Sequence, residues 1–390
     1  MSQTLSEKRF IQHEFKNAMA GLRRMVKNEN TRGMYCLGEL LIQDSLFTEK
    51  KEDRIEGVRL LAEGLLIGDP LCFVAYMRYD IGLRGVDLTS AKRAKVIAKA
   101  QEMMRDEQVE SSLRIMAEEH DILAMMELGM AYAFGIMVKA DRKQAVLWLE
   151  RAADAGYWGA MLQVAGILMR EQKDDVRKKA FSYVEKAAAM GDGLAEVRLG
   201  DCWHYGLGCE RSFENARRYY DIACRRGSLL AVFSMARLYD DRVFPQRSEM
   251  QAAIWTEKAA QMGNVDAMCA MGDRNFYGIG VMKDLKKAEY WYKQAVKTKN
   301  GRGYFAIGRF KIYISKMSEG IKYMEKAAIA GWPEGYYVLG LMKMQGIGMK
   351  QDRRRGRVLL EQAAAAGVSA AREVIRNKGK VNFLQALQSI

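Results

Sequence analysis

A short segment ending in glycine recurs along this chain at a nearly fixed interval, and that interval constrains the fold more than any other feature. K-A-A-A-M-G ends at Gly191, I-A-C-R-R-G at Gly227, K-A-A-Q-M-G at Gly263, K-A-A-I-A-G at Gly331 and Q-A-A-A-A-G at Gly367. R-A-A-D-A-G, ending at Gly156, precedes them, and Lys299 holds the same place in a weaker copy. From Gly156 the markers are 35, 36, 36, 36, 32 and 36 residues apart. A period of this size means stacked copies of one supersecondary unit, each burying its apolar face on the next. The 390 residues would otherwise suggest two or three globular domains, but there are only 3 prolines and no linker-like tract.

Other positions keep the same phase. Eleven residues before the marker stands a small residue (Gly57, Ala145, Ala180, Ala216, Ala252, Ala288, Gly320, Gly356), and eight before it a large one (Leu60, Trp148, Tyr183, Tyr219, Trp255, Trp291, Tyr323, Leu359). With the Ala or Gly four before the marker, these form one stripe of a 3.6-residue helix, narrow enough for a neighbouring helix to approach and interlock. Nine residues after the marker another small residue recurs (Gly38, Gly129, Ala165, Gly200, Ala236, Gly272, Gly308, Gly340), inside a second helical pattern. Each unit is therefore expected to be two antiparallel helices. The turn between them repeats as Y-G-L-G-C at Gly206 and Gly208, Y-G-I-G-V at Gly278 and Gly280, and Q-G-I-G-M at Gly346 and Gly348. Glycine there permits the positive φ that ends a helix.

The combined pattern, L-G-x-x-W/Y-x-x-G-x-G followed by A-x-x-W/Y-x-x-x-A-A-x-x-G, resembles the Sel1-like repeat family, whose members are α/α solenoids related to tetratricopeptide repeats. The resemblance covers roughly residues 29–367 and is clearest from 121 onward. It implies an all-α solenoid of about nine helix-turn-helix repeats, with residues 1–28 and 368–390 as terminal caps. Three departures stand out. Gly68 and the next marker, His120, lie 52 residues apart, so the stretch 83–119 should hold an inserted or reshaped helix. The unit ending at Gly331 is four residues short and needs a tighter loop. Arg376 occupies the place of a small residue, so the array should end there.

Chemistry is sparse. There is no G-x-S-x-G, G-x-x-x-x-G-K-[ST], H-E-x-x-H or C-x-x-C, and the three histidines (His13, His120, His204) are scattered, so neither an enzyme nor a cofactor is expected. Cys202, His204, Cys209 and Cys224 fall within one repeat, as zinc ligands can. Each of the three cysteines, however, replaces an apolar or Ala residue of the repeat, which favours buried small hydrophobes over metal ligands. Some secreted members of the family bridge repeats by a disulfide, but Cys224 has no cysteine near Val232 or Phe233 to pair with. With Cys36, Cys72 and Cys269 the six thiols are too few for a disulfide framework. No export signal or apolar run of membrane-spanning length is visible, and a cytoplasmic setting is expected.

The formal net charge of +14 is localised: residues 1–281 carry 40 Lys/Arg against 40 Asp/Glu, and residues 282–390 carry 22 against 8. Twelve residues after the marker, Tyr132, Trp203 and Tyr239 give way to Asn275, Lys311 and Lys343. By analogy with related superhelices the first helices line a concave surface, which would put Arg309, Lys311 and Lys343 on the floor of a basic groove. Arg302, Tyr304, Tyr336 and Arg372 complete the candidate set, aromatic and Arg side chains being the usual anchors of interfaces. The reading that follows is a protein or peptide partner, acidic in character, held on the solenoid surface. The alternative is nucleic acid or another anionic surface on the same basic repeats.

Overall fold

The computed structural model describes residues 4–12, 14–48, 51–80, 90–377 and 381–388, and among them every regular element is an α-helix. His13 and the basic residues Lys378 and Lys380 lie outside them. The chain divides into two compact units, Met1–Ser234 and Met235–Ile390.

Unit 1 contains α1 (Leu5–Ile11), α2 (Phe15–Lys27), α3 (Thr31–Thr48), α4 (Lys51–Ile67), α5 (Pro70–Asp80), α6 (Ser90–Met103), α7 (Glu107–Glu118), α8 (Ile122–Phe134), α9 (Arg142–Asp154), α10 (Trp158–Leu168), α11 (Asp174–Ala189), α12 (Gly193–Tyr205) and α13 (Phe213–Arg225). The division falls within α14 (Leu229–Asp240). Unit 2 continues with α15 (Glu249–Gln261), α16 (Val265–Tyr277), α17 (Leu285–Lys297), α18 (Gly301–Tyr313), α19 (Met317–Ile329), α20 (Pro333–Gln345), α21 (Arg353–Ala365), α22 (Ser369–Arg376) and α23 (Phe383–Gln388). In each repeat the helix after the marker is called here the first helix, and the one that ends at the next marker the second.

The marker is a conformational device. Its glycines have φ between +80° and +106°, and the three non-glycine markers, Glu29, His120 and Lys299, adopt φ of +54°, +65° and +56°. This left-handed residue ends the second helix, and the next amide turns back to the carbonyl of the small residue four before the marker, as Asn264 does to Ala259 and Trp332 to Ala327. In several repeats the same next residue caps the following helix: Asp121, Asp192, Asn264 and Asn300 each accept backbone N–H bonds. Second helices have their own cap column in Asp141, Ser212, Ser248, Asp284 and Asp352. The backbone N–H of these caps also donates to the carbonyl twelve residues after the marker, for example Asp284 to Asn275 at 2.8 Å, which ties the G-x-G turn shut.

The two small columns meet within a unit. A Cβ added to Gly356 would lie 2.8 Å from the carbonyl oxygen of Gly340, and one added to Gly320 would lie 3.0 Å from that of Gly308. In other units the first-helix glycine instead receives a ring, Gly200 that of Tyr220 and Gly272 that of Tyr292. These partners stand seven residues before the marker. Leu61, Leu149, Tyr220, Tyr292, Met324 and Leu360 of that column are all buried, whereas the column eight before the marker is mixed, with Leu60, Trp148, Tyr183 and Trp291 buried and Tyr219, Trp255, Tyr323 and Leu359 only partly so. The large residue that interlocks with the first helix is thus one position later than the sequence stripe placed it.

Among the described residues between Gly68 and His120 stand three helices, α5, α6 and α7, and the two that fall within 83–119 are α6 and α7, so α6 is the extra helix that lengthens this repeat. In the short unit three residues connect α18 to α19, where seven connect α16 to α17. Ser315, at φ +62°, supplies the left-handed residue there. Among the described residues after Gly367 there are two short helices, α22 and α23, and Gln345 Nε2 donates to the Val381 carbonyl at 2.7 Å. At the other end α2 packs on α3, but α1 reaches further. Phe10, fully buried, sits against Tyr157 and Trp158 at ring separations of 5.8 and 6.4 Å, and Trp158 Nε1 donates to its carbonyl at 3.1 Å.

Candidate partner-binding surfaces

Charges on the first helices are largely committed to stacking. Ten residues after the marker, Glu39 and Arg78 stand in consecutive repeats and pair at 2.5 Å, and Asp273 and Arg309 pair at 2.7 Å. Three residues after the marker, Arg302 pairs with Asp266 at 3.2 Å. A tyrosine of the same unit's second helix holds the carboxylate: Tyr292 donates to Asp273 at 2.6 Å, and Tyr220 to Asp201 at 2.7 Å. These columns face the neighbouring first helix.

The column twelve after the marker points elsewhere. Two residues along a helix is about 200° of rotation, and the side chains there meet second helices. Tyr132 accepts from Arg114 of α7, Trp203 packs edge-on against Phe181 of α11, and Lys311 Nζ lies 3.0 Å from both Glu289 of α17 and Glu319 of α19. The basic floor expected from Arg309, Lys311 and Lys343 is therefore corrected. Lys311 is buried between two second helices and Arg309 is consumed by Asp273. Burial pulls the Lys311 ammonium down, but bonds to Glu319 and Glu289 outweigh it and hold it above its ordinary value. Of the remaining candidates, Arg302 is half-exposed in its pair, Tyr304 and Tyr336 are partly buried on α18 and α20, Lys343 is partly buried, and Arg372 is exposed on α22. Lys326 Nζ lies 5.9 Å from the Tyr304 ring centre. The seven residues do not form one constellation; they spread over α18, α20 and α22.

What stays uncommitted in unit 2 is a basic edge at the start of its second helices. Arg353, Arg354 and Arg355 are the first three residues of α21 and are exposed, as are Lys286 and Lys287 at the start of α17. Among the described residues no carboxylate forms an ion pair with the arginine triplet, nor with Lys343, Arg372 or Arg376. The sequence shows this edge as charge runs, but only the pairing of Arg309 and Lys311 elsewhere reveals it as the available part.

Unit 1 has a different feature, a cleft of about 540 Å³ among α3, α8, α10 and α12. Glu39, Met130, Gly166 and Asp201, all ten residues after a marker, line it. Beneath it Arg78 lies between Glu39 and Glu127, 3.3 Å from the latter, and Tyr35 donates to Glu127 at 2.8 Å. Burial pushes Glu127 up to about 7, against the pull of Arg78. Since Glu127 is wholly enclosed, the cluster joins α3, α5 and α8 and is not open to a substrate.

The cysteine-rich repeat is apolar packing. Cys202 is buried in α12, the Cys209 thiol donates to its carbonyl at 3.5 Å, and burial pushes the two thiols up to about 12 and about 11. His204 is buried beside Tyr220 and stacked on Tyr205.

The Sel1 repeat family model matches residues 122–157, 160–192, 193–228, 230–264, 265–297, 314–332 and 333–368. The chain is 28% identical over 193 residues to chitin synthase regulatory factor 3 of Schizosaccharomyces pombe, a match covering 46% of this chain and 21% of that protein. It is 24% identical over 250 residues to the ERAD-associated E3 ubiquitin-protein ligase component HRD3B of Arabidopsis thaliana, covering 64% of this chain and 37% of that one. The chain thus spans well under half the length of either relative. Among solved structures it is similar to a Sel1 repeat protein from Oxalobacter formigenes, at 22% identity and a TM-score of 0.43 over 97% of this chain and 95% of that one. It is also similar to yeast Tom70, at 12% identity and a TM-score of 0.50 over 98% and 93%. The Tom70 likeness is one of helical-solenoid fold.

Proposed function

The chain belongs to the Sel1 repeat family, whose members mediate protein–protein interaction, and on that premise we propose that it is a non-catalytic adaptor whose basic edge in unit 2 favours an acidic partner protein. One observation carries the acidic preference. Arg353, Arg354 and Arg355 occupy the first turn of α21, where the helix dipole disfavours cations by about 0.3–1 kcal/mol each. Asp352 caps the helix through the Arg355 amide, so the helix end is already satisfied without them. A triplet that opposes local stability and makes no ion pair is explained by attraction to something outside the fold. The relatives named as a chitin synthase regulatory factor and a ubiquitin-ligase component support a regulatory or adaptor role.

The test is capture of partners by the full chain and by the triple variant Arg353→Glu, Arg354→Glu, Arg355→Glu, at two ionic strengths and with nuclease. The reading expects nuclease-resistant protein partners that the variant loses. Partners retained by the variant would refute the basic edge. Nuclease-sensitive capture with a steep log-log salt slope would instead establish the polyanion alternative.

A further inference from the structure

The cleft of unit 1 has properties that stacking does not require. Gly166 stands in the last turn of α10, where glycine still favours the helix less than alanine would. Its φ is not in the left-handed region, and a Cβ added there would meet nothing within 4 Å. Neither backbone geometry nor packing asks for glycine at this position; its effect is to leave the cleft open. The walls around it include Met130, Phe134, Leu162 and Met169, with Phe134 half-exposed at the mouth. Methionine walls adapt to irregular apolar shapes, and about 540 Å³ is within the roughly 300–1,000 Å³ usual for ligand clefts.

The lining charges are unequal in commitment. Glu39 is tied to Arg78 and Tyr79, and Asp201 accepts the Tyr220 hydroxyl. Arg170 and Arg198 are exposed and, among the described residues, make neither an ion pair nor a side-chain hydrogen bond. The available field at the rim is therefore positive.

The protein itself shows what this face accepts. Tyr157 and Trp158, which also line the cleft, hold α1, a single short helix with one aromatic side chain, Phe10, fully buried against them. Glu7, one turn earlier, is buried in an ion pair with Arg32, which also pairs with Asp121 at 2.6 Å. An aromatic anchor with a carboxylate one turn away, met by arginine, is the chemistry already seated beside the empty part of the cleft.

From these observations we infer that the cleft binds a short amphipathic helix of a partner protein, laying a large apolar side chain over Gly166 and placing a carboxylate one turn away in the combined field of Arg170 and Arg198. This goes beyond the basic edge of unit 2 and rests on the adaptor reading only in taking the ligand to be a protein segment.

The experiment selects a displayed random dodecapeptide library on the full chain and measures binding of the synthesised consensus peptide by fluorescence anisotropy. The expected consensus pairs an aromatic or Leu with Asp or Glu three or four positions away. Gly166→Trp, which fills the space, and Arg198→Glu, an exposed substitution that leaves the fold intact, should each weaken binding by about tenfold or more. Gly166→Ala, which puts only a methyl group into the cleft, should weaken binding measurably but less than Gly166→Trp does. The triple substitution at Arg353, Arg354 and Arg355 should leave this affinity unchanged, so that failure here and failure of the basic edge are told apart. Failure to enrich any peptide, a basic consensus, or equal affinity for the parent and Arg198→Glu would each overturn the inference.

Discussion

Two kinds of glycine punctuate the array, and they differ in what a methyl group would encounter. Gly263, a marker, has φ +106° and open space around its absent Cβ, whereas Gly280, the second glycine of a turn, has φ +69° and a Cβ that would fall 2.0 Å from the Glu249 carbonyl oxygen. Gly263→Ala should therefore cost only the left-handed strain, about 1–2 kcal/mol. Gly280→Ala must also displace the backbone at the start of α15 and should cost clearly more. Denaturant midpoints of the two variants give the comparison, and equal losses would mean that the close approach is not felt. The third such position is Lys299, a marker without glycine at φ +56°. Lys299→Gly relieves the same strain but adds about 0.5–1 kcal/mol of unfolded-state entropy, so a net gain of several tenths of a kcal/mol is expected. Glu127 makes a different prediction. Its folded-state proton is held up to about 7 from an ordinary value of 4.5, so the native protein binds that proton more tightly than the unfolded chain does. Its contribution to stability is complete below about 4.5, declines as pH rises, and is fully lost above about 7, with a slope of at most roughly 1.4 kcal/mol per pH unit. Glu127→Gln should flatten that decline in thermal melts taken between these limits.

At the scale of helices, the sequence states which positions recur, and it is silent about which neighbour each one touches. The marker, the small columns, the tight loop of the short unit and the extra helix between Gly68 and His120 were all legible, because each is a length or a steric requirement written in residue type. Trp148, Tyr183, Trp255 and Trp291 are conspicuous in the sequence by size, but the side chains that meet the small residue of the first helix stand one position later, as Leu149 does at Gly129 and Tyr292 at Gly272. Only analogy with related superhelices puts the column containing Lys311 on a concave floor; in the fold Lys311 meets Glu289 and Glu319 of two second helices instead. A signal was present: Lys311 stands eight residues before Glu319, and Glu289 stands one residue after the small Ala288, on a face already turned inward. The consequence is testable. Because Glu289 also pairs with Lys293 at 2.9 Å, Lys311→Met leaves that carboxylate a partner and should change stability by no more than about 1 kcal/mol, whereas Lys311→Glu brings three carboxylates together and should cost several kcal/mol. Chemical denaturation of the pair distinguishes a stacking lysine from a ligand-facing one, for which both changes would be nearly neutral to folding. Charge reversal at Lys311 consequently reports on folding and not on partner binding.

Taken over the whole molecule, the +14 resolves onto the units that the fold defines. Residues 1–234 carry 35 Lys/Arg against 34 Asp/Glu, and residues 235–390 carry 27 against 14. Unit 1 is thus nearly neutral, while unit 2 holds an excess of thirteen positive charges despite the internal pairs of Arg302, Arg309 and Lys311. Like charges at the exposed edge repel, and that repulsion is long-range enough to be screened, with a Debye length of about 10 Å at 0.1 M salt. The buried and half-buried pairs that stack the helices are short-range and lose less. Raising the ionic strength should therefore stabilise unit 2 while leaving unit 1 almost unchanged. Amide hydrogen exchange on the intact chain can read both at once: peptides from α16 to α21 should exchange more slowly on going from low to moderate sodium chloride, and peptides from α8 to α12 should not. The triple arginine-to-glutamate variant at 353–355 removes six units of positive charge from the edge, more than the stacking pairs could compensate, and should abolish most of that salt response. If unit 2 kept its salt response in the variant, the excess charge that matters would lie elsewhere in the unit, and the edge would lose its claim to be where an acidic partner is drawn in.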